Sequence, residues 1–158
     1  MPQGIVKPSN QIVAAGDPLT IEMEVGAAAT PADMLPGRVV IFDAVDQTVK
    51  ESGAKASVEC GVLDVVADKQ VTEAYAVGDQ VPVIFGECIC VLTLLASENV
   101  TRGDPLVTAA NGKVAKLAVG AMGAQGRVIG YAWESSNVTT DAKIQVHWNP
   151  AADATAAS

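Results

Sequence analysis

Leu106-Val107-Thr108-Ala109-Ala110-Asn111-Gly112-Lys113-Val114-Ala115 decides the class of fold. Asn-Gly supplies the two positive-φ positions of a tight hairpin turn, and short apolar runs flank it on both sides. The arms read as strands over Pro105–Thr108 and Lys113–Leu117. Toward the N-terminus, strands are predicted at Ile89–Leu95, Gln80–Phe85 and Val58–Val66, with a hairpin of Val39–Phe42 and Thr48–Glu51 turning at Asp46-Gln47. Leu19-Thr20-Ile21-Glu22-Met23-Glu24-Val25 alternates with period two, which puts its carboxylates on a wet face. Toward the C-terminus the strands are Val128–Glu134 and Lys143–Trp148, with turns at Ser135-Ser136-Asn137 and Thr140-Asp141. Helix signals are confined to Thr30-Pro31-Ala32-Asp33-Met34-Leu35, a cap hydroxyl followed by proline and an early acid, enough for one or two turns. The expected fold is all-β: a small β-barrel or sandwich with an extended N-terminal arm and at most one short helix.

One turn device recurs. Gly16-Asp17, Gly78-Asp79 and Gly103-Asp104 each stand immediately before an apolar strand. Glycine supplies a positive φ, and the carboxylate can accept backbone N–H groups as the strand begins. The unequal spacing of the three marks a reused turn and excludes a repeat architecture.

The two ends differ from the middle. Residues 151–158 follow Pro150 without a large apolar side chain and read as a loose tail. Residues 1–15 carry two β-branched pairs, Ile5-Val6 and Ile12-Val13, around Pro8, which forbids a helix there. They read as an extended arm able to add to another protein's sheet, and Ile12-Val13 serves equally well as the first strand of the domain. The expected organisation is an arm over 1–15, one barrel over 16–150 and a tail over 151–158.

The net charge is −8, from 18 acids against 10 scattered cations, so a nucleic-acid partner is not expected. No window approaches the roughly 20 apolar residues of a membrane helix, and Met1-Pro2-Gln3-Gly4 does not open a secretion signal. An odd count of three cysteines fits reduced thiols inside a cell. Cys88-Ile89-Cys90 places two sulfurs on one strand face, but a tetrahedral metal site needs further ligands and His147 is the single histidine. No metal or other cofactor is expected.

Catalytic patterns are equally thin. His147 falls on the Gln145 face of a terminal strand, opposite Val146, where a solvent-facing side chain is expected; no Gly-x-Ser-x-Gly elbow exists. Gly120-Ala121-Met122-Gly123-Ala124-Gln125-Gly126 lacks the Lys-Ser/Thr of a nucleotide loop and precedes a strand. Glu22 and Glu24 read as a solvated strand face. Arg102-Gly103-Asp104 reads as a turn. The expectation is a protein that is not an enzyme and works through surface shape and strand edges.

The order of these pieces resembles a known family. Gly61-Val62-Leu63-Asp64, Val77-Gly78-Asp79-Gln80-Val81-Pro82-Val83, Thr101-Arg102-Gly103-Asp104-Pro105-Leu106-Val107 with Asn111-Gly112-Lys113-Val114, then Arg127-Val128-Ile129-Gly130-Tyr131-Ala132-Trp133-Glu134, is similar to capsid decoration (cement) proteins of tailed double-stranded DNA viruses. The likeness spans about residues 37–149. It implies a clamp made in the host cytoplasm that binds the major capsid protein on the outer surface of the head. Such proteins act as homotrimers at three-fold positions and hold the expanded shell against DNA pressure. It also implies an N-terminal arm that pairs with a capsid strand, here Ile5, Val6, Ile12 and Val13. Residues 26–35 read as an insertion, placed at the trimer axis or at the capsid contact. Competing readings are a small β-clip ligand-binding or carrier-like module, for which Lys113 at the hairpin tip is the candidate residue, and another virion component such as a head fibre or tail protein.

Overall fold

A computed structural model describes residues 11–53, 61–66, 68–117 and 128–150. The strands in chain order are β1 (Val13–Ala15), β2 (Thr20–Val25), β3 (Val39–Phe42), β4 (Thr48–Glu51), β5 (Gly61–Leu63) and β6 (Gln80–Ile84). They continue as β7 (Cys88–Leu94), β8 (Asn99–Val100), β9 (Pro105–Thr108), β10 (Val114–Lys116), β11 (Gly130–Ala132), β12 (Ser136–Asn137) and β13 (Ala142–Trp148). The helical turns that lie wholly within the described residues are single 3-10 turns at Pro31–Asp33 and Ala110–Gly112. The all-β expectation is met.

The barrel expectation is met twice over. Strands β2, β4, β3, β5 and β6 close into one barrel, while β1, β7, β10, β9, β11 and β13 form a six-stranded sheet. Pairing of β7 with β13, from Ala142 opposite Leu94 to Trp148 opposite Cys88, closes that sheet into a second ring. Within the span read as one barrel, the strands thus form two closed β units. The physical reason lies in β3, β5 and β6, whose apolar residues are consecutive. Val40, Leu63 and Val83 point into the smaller barrel with Met23, Val25, Val49 and Val81. Their neighbours Val39, Val62 and Ile84 join Leu92, Leu106, Ile144 and Trp148 in the core of the larger ring. A strand buried on both faces shows a continuous apolar run, so these three form a shared wall between two cores.

Local turn chemistry behaves as read. Asn111 and Gly112 both take positive φ (62° and 72°) and set β9 against β10, with Thr108 opposite Val114. Gly16, Gly78 and Gly103 all have φ near +90 to +101°. Asp79 and Asp104 each accept the N–H three residues earlier, from Ala76 and Thr101, at 2.8 Å. The helix at 30–35 shrinks to one 3-10 turn. Thr30 makes no side-chain cap; its own N–H is held at 3.0 Å by the Glu51 carboxylate. Residues 26–35 close an end of the smaller barrel, with Ala29 and Met34 in its core. Ser136-Asn137, expected as a turn, pairs with Asn99-Val100 in a two-stranded ribbon.

Tyr75 locks the loop between β5 and β6. Its hydroxyl donates to the Asp64 carbonyl at 2.6 Å and accepts from the Val66 N–H at 3.2 Å. Burial pushes the phenol up to about 12. Because the folded value lies above the unfolded one, this contribution is complete below pH ~10 and fades as pH rises toward 12. Tyr75→Phe should cost about 1–3 kcal/mol at neutral pH by stranding backbone groups. Urea titrations at pH 8 and 11 test both points: the gap between wild type and variant should narrow at the higher pH. A constant gap would mean that the phenol is not held neutral by the fold.

Candidate functional site

The four residues of the proposed arm divide. Ile5 and Val6 lie outside the described residues. Ile12 is only 1% exposed and belongs to the core of the larger ring. Its carbonyl accepts the Val91 N–H at 2.8 Å, and Val13 stands opposite Cys90. Burying an isoleucine this fully stabilises by about 1.5–3 kcal/mol, which a free arm would forgo. Residues 13–15 are therefore the first strand of the fold, and the arm expected over 1–15 is corrected at its C-terminal end.

The candidate chemical groups do not converge. The β7–β13 register puts Cys88 opposite Trp148 and His147 opposite Ile89. Because side chains alternate along a strand, Cys88 and Cys90 turn inward with Trp148 while His147 turns to the other face. Both thiols are buried. A hydrogen bond from Cys90 to Cys88 lowers the Cys88 pKa, and that bond together with burial raises the Cys90 pKa. His147 meets the exposed Glu87 carboxylate at 2.5 Å and the edge of Trp133 at 6.3 Å, beside a shallow hollow of about 320 Å³. Arg102 lies 4.9 Å over the Trp133 ring, so the Arg102-Gly103-Asp104 turn is engaged at both ends, Asp104 pairing with Lys116 at 3.0 Å. No group of three or more metal-ligating side chains converges among the described residues.

Lys113, the candidate of the carrier reading, is pulled down onto Asp141 at 2.7 Å, which lowers the Asp141 pKa. Nearby, Arg38 bridges the two β units, donating to the Asn111 carbonyl at 2.7 Å. It borders a cleft of about 320 Å³ together with Thr93 and Lys143. The glycine-rich segment 120–126 and Cys60 lie outside the described residues.

Exposed apolar side chains include Leu19 just before β2, Ile21 on β2, Phe42 at the end of β3 and Val45 in the β3–β4 turn. Glu22 and Glu24 are exposed on the opposite face of β2, as the alternation indicated. The outward position of Leu19 and Ile21 was not foreseen, because alternation specifies a face and not how far along the strand that face is covered.

With this geometry in view, the sequence model of one protein family, described as XM1 gp53 minor capsid protein, matches residues 9–158. The chain belongs to that family. The XM1 gp53 family places it among structural proteins of the phage virion, associated with the capsid. Among solved structures, it is similar to the head fibre gp8.5 N base of bacteriophage phi29, at 14% identity and a TM-score of 0.47. That match covers 81% of this chain and 94% of the other. No curated protein matches the chain. The resemblance to capsid decoration proteins is therefore met at the level of a capsid-associated virion protein.

Proposed function

We propose that this member of the XM1 gp53 minor capsid family is a decoration protein. It binds the major capsid protein on the outer surface of the head, as a homotrimer at three-fold positions, and stabilises the expanded shell against DNA pressure. It is made in the host cytoplasm and has no enzymatic activity. Family membership over 150 of 158 residues carries this reading. Two further features support it. Strands closed into two rings around a shared wall make a stiff body suited to bridging neighbours. A net charge of −8 keeps decorated particles apart in solution. Three weak contacts joined in one trimer gain on the order of 10²–10⁴ over one contact, so no single contact needs to be strong.

The purified chain should show a mass about three times its 16.1 kDa by light scattering and should co-sediment with expanded heads that lack it. Decorated heads should withstand heating or osmotic shock that bursts bare ones. A chain that stays monomeric at high concentration and remains in the supernatant would overturn the reading.

A further inference from the structure

The inward face of β2 runs out of its barrel. Val25, Met23, Ile21 and Leu19 share one face, and their exposure climbs from 0% through 6% and 45% to 63%. The cause is the length of the neighbouring strand. Among the described residues β2 has a partner on its β4 side only at Glu24 and Val25. There the Glu24 N–H donates to the Gln47 carbonyl, and the hairpin turns away. On the other side β2 is paired with β6 from Thr20 to Glu24. By alternation the N–H and C=O groups of Thr20 and Glu22 point to the open side, like those of Glu24. The gap thus combines a free strand edge, Leu19 and Ile21 beside it, and Val45 (67% exposed) in the adjoining turn.

Charge tells what fits the gap. Asp17 just before β2 and Glu22 and Glu24 on it are exposed acids, and the chain has no cation between residues 8 and 37. Asp46 adds a further exposed acid in the hairpin turn. A second copy seated here would bring one acidic rim against a chain of net charge −8. An extended segment with apolar residues flanked by lysine or arginine meets both the edge and the rim. We propose that the open edge of β2 at Thr20–Glu22 receives such a basic segment of the shell protein as an added strand. This rests on the attachment reading above and names its contact surface. It also gives a role to an edge that would otherwise invite aggregation.

The test uses the full chain and expanded heads lacking it, with bound protein quantified after sedimentation. The double variant Leu19→Asp/Ile21→Asp should lose about tenfold or more in affinity, since it removes the anchors at the centre of the contact. Glu22→Lys/Glu24→Lys should weaken binding and flatten its salt dependence. Val138→Asp, an exposed apolar side chain outside this edge, should bind as wild type, and unchanged thermal melts should confirm that all variants fold. Wild-type binding by Leu19→Asp/Ile21→Asp would overturn the assignment while leaving attachment intact. Loss of self-association with head affinity unchanged per protomer would assign the edge to a second copy instead. Failure of the wild-type chain itself to bind heads would remove the attachment reading, and this inference with it.

Discussion

Trp148→Ala should destabilise the protein by about 3–5 kcal/mol, a large share of the 5–15 kcal/mol typical of a folded domain. Trp148 ends β13, is wholly buried, and stands opposite both Cys88 and Gly130, where the larger ring closes. It belongs to the core of the larger ring, as do Cys88, Ile129, Val146 and the shared-wall residues Val39, Val62 and Ile84. Truncation would open a cavity in that core. The indole N–H has no hydrogen-bond partner in the structure, so the side chain contributes by packing alone. Trp148→Phe deletes that buried donor and most of the ring stays, so it should cost less than about 1.5 kcal/mol. Urea denaturation of the three proteins decides the matter. Equal losses for Ala and Phe would mean that the indole is held by something other than packing.

How much of this was legible beforehand differs from element to element. The Asn111-Gly112 hairpin and the Gly-Asp turns were readable because positive φ is a local demand that few residues meet. Continuous runs such as Val39-Val40 and Val83-Ile84 indicated strands buried on both faces. They could not say that each face belonged to a different core, since periodicity reports burial and not the identity of the covering layer. Ile12-Val13 served equally well as a first strand or an arm; the long uncovered edge of β7 decided for the strand. Ser136-Asn137 had turn composition, and its pairing with Asn99-Val100 depends on Val100 reaching the core from another part of the chain.

The surface proposed for attachment illustrates the same limit. Four apolar residues at period two, Leu19 to Val25, predict one buried face. Whether all four are covered depends on where β4 begins, far along the chain, and Thr48 begins it three positions too late for Ile21. An exposed strand edge is a relation between two strand lengths, and neither strand contains it alone. His147 shows the converse. Its outward face was readable from alternation, yet its same-face neighbour Gln145 is buried, its N–H held by the Glu134 carboxylate at 2.7 Å.

Gly130→Ala should cost about 3 kcal/mol or more, although it adds a single methyl group. Gly130 sits on β11 between Trp148 of β13 and Leu106 of β9, with partners on both edges. A Cβ there would overlap the carbonyl oxygen of His147 and press on the Trp148 Cα at 3.3 Å. These are backbone atoms of a paired strand, so relief requires β11 and β13 to separate, which opens the ring. Gly78→Ala separates this crowding from the general cost of replacing glycine. Gly78 has nothing within 4 Å of the new Cβ, but its φ of +90° strains any L-residue, so a loss of about 1–2 kcal/mol is expected. Hydrogen exchange adds a second readout: amides of β11 and β13 should lose protection in Gly130→Ala and keep it in Gly78→Ala, relative to global stability. Matching small losses with unchanged exchange would show that β11 and β13 can part without cost, and the second ring would then be closed in pairing but not in energy.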